Sequence, residues 1–112
     1  MRHWAPGRAE YLQGATATEN RDDAKRLAQS AVQAKLATGA QIIGPVDTAF
    51  WHNGEYGEGQ EYRILLKTRS DKYTELERHL IEHHPWTNPE VVATEITAGS
   101  AACLAWINTY TS

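Results

Sequence analysis

The sequence predicts an α+β fold: a split β-α-β antiparallel sheet with helices on one face and an extra C-terminal helix. Three observations predict it. Apolar residues recur at helical spacing from Ala24 to Leu36 and again from Tyr73 to His84. Alternating or β-branched runs flank these stretches, so the order reads β-α-β-β-α-β before a last helix. An Asn53-Gly54 pair lies between the two middle strands and marks them as a hairpin. Two helices cover only one face of the sheet. Something else must cover the other, and self-association is the simplest cover.

Each element has a local reason. Residues 1–9 contain Pro6 and Gly7 and show no periodicity, which predicts a flexible N-terminal tail ahead of a single domain over 10–112. A first strand is expected at Tyr11 to Ala17. Asn20 then suits a helix N-cap, with Asp22 and Asp23 in the first turn where carboxylates meet the positive end of the helix dipole. Ala24, Leu27, Ala28, Ala31, Val32 and Leu36 form the buried stripe, Lys35 snorkels at the helix end, and Gly39 is the expected stop. In the hairpin, Val46, Thr48 and Phe50 alternate on one arm and Tyr62, Ile64 and Leu66 on the other. Gly54, Gly57 and Gly59 are expected in an extended, twisted tip, and Pro45 marks a bulge or an edge. A second helix opens at Ser70 or Asp71, buries Tyr73, Leu76, Leu80 and His84 on one face, and stops before Pro85. Glu90 to Ile96 reads as the fourth strand. Gly99-Ser100 caps the last helix, whose stripe is Cys103, Trp106, Ile107 and Tyr110. The whole pattern is ferredoxin-like.

Composition narrows the function. The chain has 112 residues, of which 41% are hydrophobic and 22% charged, as in an ordinary globular domain. A net charge of -3 argues against a general nucleic-acid binder. No apolar run reaches the ~20 residues that span a bilayer, and the N-terminus shows no continuous apolar stretch of the signal-peptide kind. The lone Cys103 can close no intramolecular disulfide and rules out cysteine-cluster zinc sites. A cytoplasmic location, with no membrane or nucleic-acid partner, is the expectation.

Two constellations carry possible chemistry. His79 and His83 stand four apart and share a helix face, as two ligands of one metal would, while His84 joins them only if the helix unwinds before Pro85. Neutral imidazoles suit copper, nickel or zinc. The competing reading is a solvated helix end with one packed histidine. Trp51, His52 and Trp86 form the second constellation, and Trp86, set between two prolines, reads as an interface anchor or as core. No G-x-S-x-G, phosphate-loop or H-E-x-x-H motif is present, and Glu55, Glu58 and Glu61 read as a solvated charge cluster, so no enzyme is expected.

A series of short motifs in order resembles the CutA family, the divalent-cation tolerance proteins. They are KLA at 35–37, PV at 45–46, Trp51, Gly54, Glu61, LLKT at 65–68, HHP at 83–85, PEV at 89–91 and LAWI at 104–107. The resemblance implies a homotrimer of ferredoxin-like subunits, similar in architecture to PII signalling proteins, with uncovered sheet faces meeting around the threefold axis. It also implies a non-enzymatic role in the response to metal ions and weak binding of copper or another divalent cation. By the resemblance, His83 and His84 match proposed copper ligands, with His79 alongside from its spacing. The family's ligand cysteine aligns with Ala15 and a second frequent cysteine with Gly39, and losing the thiolate weakens a Cu(I) site in particular. The alternative is a PII-like trimer that senses a small molecule or scaffolds a protein. Its ligand would sit in clefts between subunits lined by Trp51, His52, Glu61, Lys67, Trp86 and Glu90.

Overall fold

In the computed structural model, which describes residues 9–111, the sheet is assembled from four antiparallel strands in the order β2-β3-β1-β4. The strands are β1 (Tyr11–Thr18), β2 (Gly39–His52), β3 (Glu55–Arg69) and β4 (Val92–Ile96). The helices are α1 (Arg21–Gln33), α2 (Tyr73–His83, entered through a 3-10 turn at Ser70–Lys72) and α3 (Ala101–Tyr110). This is the ferredoxin-like arrangement that the order of elements predicts. The expected tail falls outside the described residues except for Ala9.

The buried core lies between the sheet and two helices. Leu12, Ile64 and Leu66 come from the sheet, Ala24, Leu27, Ala28 and Ala31 from α1, and Tyr73, Leu76 and Leu80 from α2. The alanines let α1 settle close to the strands, and each large aliphatic side chain so buried contributes roughly 1.5–3 kcal/mol. Side chains alternate along a strand, so Ile64, Leu66 and Thr68 of β3 face the helices while Arg63, Leu65 and Lys67 face away. Across that second face, Leu65 is in register with Ala15 of β1 and Gln41 of β2, and Ala15 with Val92 of β4. Neither α1 nor α2 covers it. Ile43 and Val92 are each nearly half exposed there.

Both predicted caps form. The Asn20 side chain accepts a hydrogen bond from the Asp23 amide at 2.9 Å, and the Ser100 hydroxyl accepts one from the Cys103 amide at 3.2 Å. The stop of α1 is corrected. Gly39 already belongs to β2, and the helix ends instead at Gln33, with Lys35 just past the cap taking a left-handed backbone (φ 61). The amide of Leu36 bonds to the Ala31 carbonyl and that of Lys35 to the Val32 carbonyl, which is the Schellman pattern with lysine in the place glycine usually holds.

The hairpin tip is also tighter than expected. Asn53 and Gly54 alone make the turn, both with positive φ (51 and 79), while Gly57 and Gly59 lie inside β3. Gly57 pairs with Phe50, whose ring occupies the space a Cβ on Gly57 would need. The register shifts between Ile43 and Val46, so Pro45 does mark a bulge, and the Gly44–Pro45 peptide is cis. Beyond the bulge the two strands run past the helix layer, and Phe50, Trp51 and Tyr56 are exposed on this arm. In α3 only Ile107 is fully buried, while Trp106 packs over Gly39 at the head of β2 and remains partly exposed, as does Tyr110. The fourth strand begins at Val92 rather than Glu90.

Candidate functional site

Sequence spacing put three histidines in one candidate metal set, and the structure divides them. Pro85 forces His84 into extended backbone (φ -75, ψ 139), ending α2 at His83. The His84 ring turns inward, on the apolar face of α2. Its Nε2 lies 2.8 Å from the carbonyl oxygen of Ala17, and its Nδ1 accepts from the Trp86 amide at 3.0 Å. The carbonyl can only accept, so Nε2 carries the proton and Nδ1 the lone pair. Both nitrogens are therefore committed. Burial holds the pKa of His84 below its ordinary value, opposed in part by the bond to Ala17.

His79 and His83 stay together, one turn apart at the end of α2. Their rings stack with centroids 4.1 Å apart and planes 24° from parallel. The Nδ1 of His83 donates to the His79 carbonyl at 2.8 Å, which leaves a free lone pair on Nε2. The Nε2 of His79 meets the hydroxyl of Ser30 on α1 at 2.7 Å. Partial burial lowers the pKa of His79 first, with the nearby His83 adding to the effect and Glu82 opposing it. The two rings open on a groove of about 690 Å³ between α1 and α2, lined also by Asp23, Ser30 and Gln33. Ser30 was not singled out in the sequence; its place on α1 is a matter of tertiary packing.

The ligand set implied by the resemblance does not fit this chain. Ala15 offers no donor atom in place of the thiolate, and both nitrogens of His84 are already bonded. Among the described residues, no three or more histidine, cysteine or carboxylate side chains gather to hold an ion.

The other six candidates do not meet within one chain. Trp51 and His52 stand at the end of the arm, where Trp51 packs edge-on against Tyr56 at 5.9 Å and His52 contacts Asn53. Lys67 lies eleven residues further along β3 than Tyr56, roughly 36 Å of strand, and its Nζ donates to Gln13 at 3.4 Å. Trp86 tilts against His84 with ring centroids 5.0 Å apart. Glu61 and Glu90 do come together, through a residue not foreseen. Arg63 reaches both carboxylates at 3.3 Å. Residues 61 and 63 share a strand face, so that half of the pairing was open to the sequence. A pocket joining all six would need more than one copy of the chain.

The family profile described as CutA1 divalent ion tolerance protein matches residues 14–110. The chain belongs to the CutA1 divalent ion tolerance family. Among CutA relatives, it is 34% identical over 92 residues to the chloroplastic protein CutA of Arabidopsis thaliana, an alignment covering 82% of this chain and 50% of the relative. It is 31% identical over 87 residues to the divalent-cation tolerance protein CutA of Archaeoglobus fulgidus, covering 78% of this chain and 84% of that one. The chain spans about half the length of the plant relatives from Arabidopsis thaliana and Oryza sativa. A solved structure described as the periplasmic divalent cation tolerance protein CutA from Archaeoglobus fulgidus superposes with a TM-score of 0.87 at 26% identity, over 91% of this chain and 99% of that one. CutA relatives are thus described as chloroplastic or periplasmic, so membership assigns no compartment. Among the described residues no helix is long and apolar enough to cross a membrane.

Proposed function

We propose that this CutA1-family chain acts in divalent-cation tolerance as a non-enzymatic homotrimer that binds copper or a similar cation weakly. One observation carries the assembly. The sheet face away from α1 and α2 is only partly covered, by Trp106 of α3 over Gly39 at one end, and it leaves Ile43 and Val92 nearly half exposed, while the arm beyond it exposes Phe50, Trp51 and Tyr56 in the isolated chain. Large aromatic side chains on a projecting hairpin are costly in water and suit the centre of an interface. Further copies of the same chain are the occupants favoured, because an open face on a small antiparallel domain is closed most simply by symmetry. The non-enzymatic reading is supported by the lack of any catalytic motif in the sequence.

Light scattering and native mass spectrometry test the assembly. The expected species has three times the 12.5 kDa chain mass. A monomer throughout the micromolar range would overturn the trimer.

A further inference from the structure

We propose that His79 and His83 form a two-imidazole site for a late first-row divalent cation, Cu(II) foremost, in the groove between α1 and α2. The site differs from the set suggested by the HHP motif, because it includes His79 and excludes His84. It deepens the cation-tolerance reading by naming donor atoms, and it does not depend on the trimer.

Three features prepare the pair. The spacing of four puts both rings on one face of a regular helix, and the 4.1 Å stack holds them side by side, so that side-chain rotation alone turns the two Nε2 lone pairs toward one ion. The bond from His83 Nδ1 to the His79 carbonyl fixes the tautomer and orients Nε2, as outer-shell bonds do for ligating histidines. On the facing helix, the Ser30 hydroxyl meets Nε2 of His79. Serine in a helix can turn instead to the carbonyl four residues earlier, so this partner can yield to an ion. Two protein ligands leave the remaining positions to water, and Asp23, Gln33 and Arg26 on the groove wall keep the surroundings polar, the Arg26 charge being paired with Asp23. Such a site binds modestly and exchanges its ion. Nitrogen donors without a thiolate favour Cu(II) over nickel and zinc in the Irving–Williams order.

Copper(II) chloride is the probe, titrated calorimetrically against a weak chelator and followed by electron paramagnetic resonance. All proteins carry His3→Gln, since an imidazole near the N-terminus competes for copper. The expected result is one copper per chain, with hyperfine structure from two imidazole nitrogens. His79→Gln and His83→Gln should each weaken binding about tenfold or more, while His52→Gln on the arm should leave it unchanged. Circular dichroism checks that the variants are folded, and glutamine at 79 retains a polar partner for Ser30. Unchanged affinity in either groove variant, or no binding at neutral pH, overturns the site. A trimer that binds no copper removes both this site and the weak copper binding proposed above and leaves the assembly reading in place, whereas copper binding unchanged in the groove variants removes this site alone. A monomer that binds copper through both rings keeps the site and removes the assembly.

Discussion

The Nε2 of His84 lies 2.8 Å from the carbonyl oxygen of Ala17, tying the end of α2 to β1 through a buried neutral imidazole. The same ring accepts the Trp86 amide, so one side chain satisfies two backbone groups and fixes the turn after the helix. His84→Ala should destabilise the chain by about 2 kcal/mol, because it strands both groups. Stability should also depend on pH. Burial lowers the folded pKa of His84 below its ordinary value of 6.5, and the unfolded chain therefore binds more protons in the interval between the two. This contribution is fully present above pH 6.5 and is lost as pH falls through the lower folded value. His79 acts with the same sign. Urea unfolding between pH 7.5 and 5 should show stability falling, with a shallower fall in His84→Ala. An identical slope in both proteins would show that His84 does not carry the effect.

Lys35 gives a prediction of the opposite sign. Its left-handed backbone costs a side-chain-bearing residue about 1 kcal/mol that glycine does not incur. The residue is exposed, so little packing is lost by removing its side chain. Lys35→Gly should raise stability by about 0.5–1 kcal/mol, net of the added freedom of the unfolded chain. A lowered denaturation midpoint would mean that the lysine side chain makes up for its backbone strain.

These residues also mark how far the sequence could be read. The strands, the helices and both side-chain caps follow from periodicity and from contacts within a few positions. The stop of α1 did not, because the Schellman hydrogen bonds overrode the preference for glycine at Lys35. Gly57 was mistaken for part of the turn because the strand tolerates it by laying Phe50 across it. At the candidate site, spacing paired His79 with His83 correctly. The inward packing of His84 was legible from the apolar stripe, but the acceptor on β1 was not, since it lies 67 residues away. Ser30 and the link from Arg63 to Glu90 likewise exist only through tertiary packing.

Trp86 separates assembly from folding. The hydrogen bond that its backbone N–H donates to His84 Nδ1 needs no Trp86 side-chain atom and survives truncation of the indole. Trp86 is 37% exposed in the isolated chain, its ring 5.0 Å from that of His84, and the interface reading sets it under a neighbouring copy. Trp86→Ala should therefore weaken subunit association by about 2 kcal/mol or more, as loss of a buried interface anchor does, while far-ultraviolet circular dichroism stays native. Dilution followed by light scattering measures the first effect. Unchanged association would make the indole a surface residue of a single chain.

Thr16 should tolerate a substitution that the buried threonines beside it do not. Thr18 donates to the Asn20 carbonyl and Thr68 to the Leu36 carbonyl, both at 2.7 Å. Thr16 is fully buried, yet its hydroxyl has no hydrogen-bond partner among the described residues. A buried unmatched hydroxyl costs about 1–3 kcal/mol. Valine keeps the branched shape suited to a strand and replaces the hydroxyl with a methyl group. Thr16→Val should raise the urea midpoint at unchanged m-value, by the equivalent of about 1 kcal/mol. Thr68→Val should lower it, because the Leu36 carbonyl would lose its donor at the junction of α1 and β2. If Thr16→Val lowers the midpoint as well, the Thr16 hydroxyl has a partner in solution, an enclosed water being the simplest.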